Sequence, residues 1–119
     1  MNEEIIYNRH GRAVYRLCGT TIYDFIGKPR GFLVGKTIYD TRGQPRGFYI
    51  DRVVWDRMGR VVGFTPDGTA GELKLPEVEV PPVPYKNLPA PEPPPTATDL
   101  SCPPRISAWS IMRLENLLV

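Results

Sequence analysis

The chain has 119 residues, 24% of them charged, and a formal net charge of +2, the ordinary composition of one small soluble domain. A charge this small does not mark a nucleic-acid binder, and no apolar run approaches the roughly 20 residues that span a bilayer. Two cysteines, Cys18 and Cys102, make no disulfide framework.

Met1 is followed by Asn2, Glu3 and Glu4 rather than by a basic and then apolar leader, so the expected compartment is the cytoplasm. From there Tyr7, Tyr23, Tyr39 and Trp55 recur 16 residues apart. Each is preceded by Ile6, Ile22, Ile38 or Val54 and followed by Asn8, Asp24, Asp40 or Asp56, and Gly11, Gly27, Gly43 and Gly59 close the pattern. A constant period without insertions means one supersecondary unit used four times. A unit this short cannot bury its own apolar face, so the copies must share a core.

In the third copy, Thr37-Ile38-Tyr39 is β-branched and aromatic, which suits a strand. Asp40-Thr41-Arg42-Gly43 reads as a turn, with Asp able to bond the backbone ahead of it and Gly able to take the left-handed conformation. Arg46 to Ile50 reads as the returning strand. Gly19-Thr20, Gly35-Lys36, Asp51-Arg52 and Asp67-Gly68 link the units, and connections so short make consecutive strands antiparallel neighbours. The expectation is an all-β domain over residues 1–70. It has four 16-residue β-hairpin repeats, about eight strands in all, in a closed pseudo-fourfold arrangement that hides the strand edges. Tyr23, Tyr39, Trp55, Phe32, Phe48 and Phe64 belong to its core, with Ile22, Ile38 and Val54 on the alternate face.

Two slots break the strand pattern. Pro29 and Pro45 share one, which must face solvent or lie at a bulge. Gly31, Gly47 and Gly63 share the other, each followed by Phe, and imply close backbone approach or a sharp bend. The first copy carries Tyr15-Arg16 there instead.

The run I-Y-D-x-x-G-x-P-R-G-F, at Ile22–Phe32 and again at Ile38–Phe48, resembles the bacterial four-fold β-flower domain. That resemblance covers about residues 5–68. It implies four hairpin petals about a pseudo-fourfold axis and no assigned activity, so no functional residue is carried over. A second resemblance is to the YD repeats of Rhs-type shell proteins, through Tyr39-Asp40 with Gly43 and Trp55-Asp56 with Gly59, although those repeats are longer and more numerous.

Beyond the repeats the composition changes. Of 14 prolines, 11 lie between Pro76 and Pro104, so residues 71–106 read as a proline-rich extended linker. Leu73 to Val80 alternates apolar and acidic residues, but Pro76 allows at best an edge strand. Pro81-Pro82-Val83-Pro84 and Pro91-Glu92-Pro93-Pro94 match the spacing of proline-rich ligands, with a stiff spacer as the plainer reading. Residues 107–119 read as a short amphipathic helix with Ser107 as N-cap. A helix of that length is marginal alone, so its apolar face must dock. Trp109, Met112, Leu114 and Leu118 are the candidate partner contacts. They point to a homo-oligomer or a protein partner engaged through the C-terminal tail, and a membrane surface is disfavoured by the scarcity of positive charge.

No catalytic, cofactor-binding or metal-binding residues emerge. His10 is the single histidine and sits in a turn without a nucleophile at catalytic spacing. Asn8, Asp24, Asp40 and Asp56 could ring an axis as oxygen ligands, but each already has a turn to cap. Lys28, Arg30 and Arg46 are the candidate anion contacts, with exposed charges that discourage edge pairing as the plainer reading. The expected function is a non-enzymatic structural or protein-interaction module. The alternative is a ligand-binding domain for a small anion or glycan at the axis or between hairpins.

Overall fold

The computed structural model describes residues 3–93 and 95–118. Met1, Asn2, Pro94 of the second proline motif and Val119 at the end of the expected helix lie outside the described residues. Eight strands run as an antiparallel meander: β1 Glu3–Tyr7, β2 Ala13–Cys18, β3 Thr21–Tyr23, β4 Pro29–Val34, β5 Thr37–Asp40, β6 Pro45–Ile50, β7 Val53–Asp56 and β8 Arg60–Phe64. The pairing of Tyr7 with Phe64 brings β1 against β8 and closes the ring. The four-hairpin, closed all-β architecture is therefore the one expected from the repeats.

Each hairpin is built alike for reasons visible in its residues. The turn glycine N–H donates to the carbonyl of the Asn or Asp that opens the turn, as in Gly43 to Asp40 at 3.1 Å. Gly11, Gly27, Gly43 and Gly59 have φ of 76° to 87°, a left-handed backbone that only glycine takes without steric cost. A bulge follows at the same place in every copy, between Ile22 and Tyr23 or their equivalents. Pro29 and Pro45 pair with Tyr23 and Tyr39 beside that bulge, so the missing proline N–H falls where the ladder is already interrupted.

The core has two faces. Ile6, Ile22, Ile38 and Val54, one from each hairpin, join Tyr15, Leu17 and Val62 in an inner cluster. Leu114, Leu117 and Leu118 complete it from the C-terminal end. Tyr7, Phe48, Val53, Trp55, Val61 and Phe64 form an outer cluster that Leu73, Leu75, Leu100, Cys102 and Trp109 cover. Phe32, Tyr39, Trp55, Phe48 and Phe64 are buried as expected, whereas Tyr23 is only half-buried. Both faces of the sheet are thus apolar, and the tail supplies a cover for each.

The C-terminal segment corrects the sequence reading. Residues 107–118, the described part of the expected helix, do not form an amphipathic helix. Ile106–Trp109 is a ninth strand, β9, parallel to β8, and Leu114–Asn116 is a single 3-10 turn. The reason is competition for backbone partners. A helix this short gains little by itself, whereas the outer edge of β8 offers free carbonyls. Ile106 N–H donates to Gly59 C=O at 2.8 Å and Ser110 N–H to Val61 C=O at 2.7 Å.

The proline-rich segment, expected as an extended spacer, wraps its own chain. Glu79 N–H donates to Gly11 C=O, Leu88 N–H to Gly27 C=O and Ile106 N–H to Gly59 C=O, each at 2.8 Å. These donors stand nine and then eighteen residues apart, so the belt advances nine residues per petal in step with the repeats. A side chain on Gly11, Gly27 or Gly59 would meet the carbonyl of Glu77, Lys86 or Pro104 respectively. The turn glycines therefore serve the belt as well as the turn.

Candidate functional site

The residues that repeat in every copy are occupied by architecture. Oδ1 of Asp40 accepts the N–H groups of Arg42 and Gln44, both at 2.9 Å. Asp24 and Asp56 do the same for Ile26 and Lys28, and for Met58 and Arg60. Oδ1 of Asn8 accepts from His10 and Arg12. These side chains cap their own turns, which is a local role, and among the described residues no group of three or more His, Cys, Asp or Glu is placed to hold a metal ion.

Two of the three candidate anion contacts are bound within their own hairpins. Arg30 Nε donates to Asp24 Oδ2 and Arg46 Nε to Asp40 Oδ2, each at 2.9 Å. Burial alone would push the Asp40 carboxyl up, but the Gln44 N–H, the Arg46 guanidinium and the Arg42 N–H outweigh it and hold Asp40 below the usual carboxylate range. A depressed folded-state pKa means that this carboxylate stabilises the fold fully above its unfolded value, about 3.9, and loses that effect as pH falls through the folded value. Asp40→Ala is expected to cost about 2 kcal/mol at pH 7 by stranding two turn N–H groups. Asp40→Asn, which keeps the acceptor as Asn8 does, is expected to lose less and to flatten the stability decline below about pH 4. Urea unfolding at pH 7 and pH 3 checks both. Lys28, the third member, is exposed.

The first copy departs from the others at Arg16. Arg16 fills the slot that Phe32, Phe48 and Phe64 fill elsewhere and is 2% exposed. Its Nη2 donates to Asp24 C=O at 2.8 Å and to Asn87 Oδ1, and its Nε reaches the same carbonyl at 3.2 Å. Glu3 lies 3.6 Å from Nη1, and the Tyr23 and Phe25 rings flank the guanidinium, each with its centroid 5.6 Å away. The planar cation replaces an aromatic ring, and every contact serves to bury it. Sequence reading located this break at Tyr15-Arg16 but could not see Asn87, which lies 71 residues away and is delivered by the belt.

The candidate partner contacts divide. Leu114 and Leu118 are buried in the inner cluster. Trp109 stacks edge-on against Phe64 at 6.3 Å, with Arg9 over its ring at 5.7 Å. Met112 is exposed, as is Ile111 completely. These two border a groove of about 600 Å³ whose other wall is the first turn, Asn8, Arg9 and His10. Asn8 Nδ2 donates to Glu115 Oε2 at 2.8 Å and pins that wall to the C-terminal segment. A second groove, about 530 Å³, lies at the ring seam between Glu3–Ile5 and Thr65–Asp67. There Pro66 cannot extend the ladder to β1.

This arrangement of four bulged hairpins closed by Tyr7 and Phe64 and capped by the tail agrees with the comparison of families. The profile described as 4-fold beta flower protein matches residues 4–118. The chain belongs to that family. The match takes in the belt and the terminal plug as well as the four petals, so in this β-flower the tail is part of the domain that the family describes. Comparison with curated proteins and with solved structures returned no match. No helix among the described residues is long and apolar enough to cross a membrane.

Proposed function

We propose that this β-flower is a non-enzymatic structural module that engages a partner protein through its C-terminal segment. The observation that carries the reading is Ile111. It is fully exposed, yet it sits on backbone fixed on both sides, by Ser110 N–H on Val61 C=O and by buried Leu114. Met112 beside it is exposed as well, so the two form an apolar patch on fixed backbone at the rim of a groove, the kind of surface that a partner covers. The absence of spare chemistry among the repeated carboxylates supports a non-enzymatic role, since each is committed to its turn. An anion or glycan site is the weaker reading, because Arg30 and Arg46 are each held by a carboxylate.

The test is a photo-reactive amino acid at position 111 in the full chain, activated in the expressing cell. A discrete adduct is expected. An adduct of twice the 13.4 kDa chain mass identifies a second copy, and any other discrete mass identifies a different protein. Only uncrosslinked chain would sink the proposal.

A further inference from the structure

The belt carries a second, chemically different surface between the first and second petals. Pro82 to Leu88 is exposed throughout, with Val80 at 91%, Val83 at 88% and Tyr85 at 70% exposure. So much apolar surface left in water on one short segment is unusual for a chain with two well-filled clusters. The segment is held at both ends. Glu79 N–H binds Gly11 C=O, while Tyr85 and Leu88 N–H bind Phe25 and Gly27 C=O at 2.9 and 2.8 Å. Between these anchors Pro81, Pro82 and Pro84 fix their own φ and leave no N–H to satisfy.

Prolines this dense favour polyproline II, and the residue order suits it. At three residues per turn of polyproline II, Val80, Val83 and Lys86 fall on one edge and Pro81 and Pro84 on the next. Two apolar-Pro pairs, Val80-Pro81 and Val83-Pro84, therefore stand one turn apart and are followed by a cation. Asn87 instead turns to the platform, where its Oδ1 accepts from Arg16, so the ridge is oriented rather than free to roll. The Lys86 carbonyl lies against Gly27, the residue before Lys28 in the chain; both lysines are exposed, and neither has an ion-pair partner among the described residues. Ile26, also exposed, stands in the same turn.

We infer that Val80–Lys86 is a preformed polyproline ligand for a protein partner whose groove is lined by aromatic rings and rimmed by carboxylates. Stacked aromatic rings form slots that accept apolar-Pro pairs at this spacing, and a prolyl backbone already held in place has little ordering entropy left to lose. The two unpaired lysines choose an acidic rim over a neutral or basic one. This rests on the interaction-module reading above but uses a separate surface, so the two can fail separately.

The experiment titrates the isotope-labelled full chain with an isolated SH3 domain, a groove of this chemistry, and follows the amide resonances. Saturable shifts confined to Val80–Leu88 and Ile26–Lys28 are expected. Lys86→Glu is expected to weaken binding about tenfold and Val83→Asp to weaken it further, both with unchanged melting temperature because both side chains point to water. Absence of saturation, shifts centred elsewhere, or wild-type binding by both variants would overturn the inference. Crosslinking at position 111 without titration here sinks this inference alone, and titration here without crosslinking at 111 sinks only the C-terminal contact.

Discussion

A chain ended at Arg113 is expected to lose its cooperative thermal transition. The deletion removes Leu114, Leu117 and Leu118, which are 1% to 2% exposed and fill the inner cluster shared by all four petals. Emptying one buried leucine site costs about 2–5 kcal/mol, and a domain of this size has roughly 5–15 kcal/mol in total. Three such losses together reach the whole of it. The seating is specific. A Cβ at Gly63 would stand 2.9 Å from a Leu114 methyl, and one at Gly31 would stand 3.1 Å from a Leu118 methyl. Two of the strand glycines thus make room for the leucines that fill the inner cluster. Calorimetry of the shortened chain, with dye binding to report exposed apolar surface, checks the expectation. A sharp melt close to that of the full chain would mean the petals cohere without their plug. In the full chain Leu117→Ala alone is expected to give a graded loss within the same 2–5 kcal/mol range.

Gly47→Val is expected to destabilise the fold by about 3 kcal/mol. Gly47 pairs with Asp56 across β6 and β7 and with Ile38 across β5 and β6. A Cβ built on it collides with the Trp55 carbonyl. Gly31 meets the Tyr39 carbonyl in the same way and Gly63 meets that of Tyr7, the latter across the ring seam. The obstacle is backbone in a paired strand, not the end of a flexible side chain, so the sheet itself must shift. Gly19→Ala is the matched control. It has φ of 62° but nothing within 4 Å of a new Cβ, so its cost is that of left-handed strain alone, about 1–2 kcal/mol. Equal losses at the two positions, measured by urea unfolding, would refute the close-approach account.

The repeat architecture was legible because its causes are local. An Asx residue caps the turn that follows it, a glycine closes the turn, and a β-branched and aromatic pair leads into it, all within 16 residues of one another. Even the proline and glycine slots were readable as bulge and close approach, since backbone geometry restricts which residues can stand there. The two committed arginines were half legible. Arg30 and Arg46 lie six residues beyond Asp24 and Asp40, but only the bulge brings each pair together. Ring closure was inferred from the count of four and is realised through Tyr7 and Phe64.

The tail was misread where its fate depended on distant partners. The periodicity over Ser107–Leu118 fits a helix as well as it fits a strand followed by a plug. What decides between them is the bare edge of β8 and the hollow among Ile6, Ile22, Ile38 and Val54. The nine-residue step of the belt has no sequence motif of its own, because it is set by the spacing of carbonyls on the petals it crosses. By itself the sequence determined the repeated unit, since turn chemistry and backbone sterics act between neighbours. The tertiary structure decided what the last fifty residues do, since an apolar face or an unpaired strand edge takes whichever segment of the chain can reach and cover it.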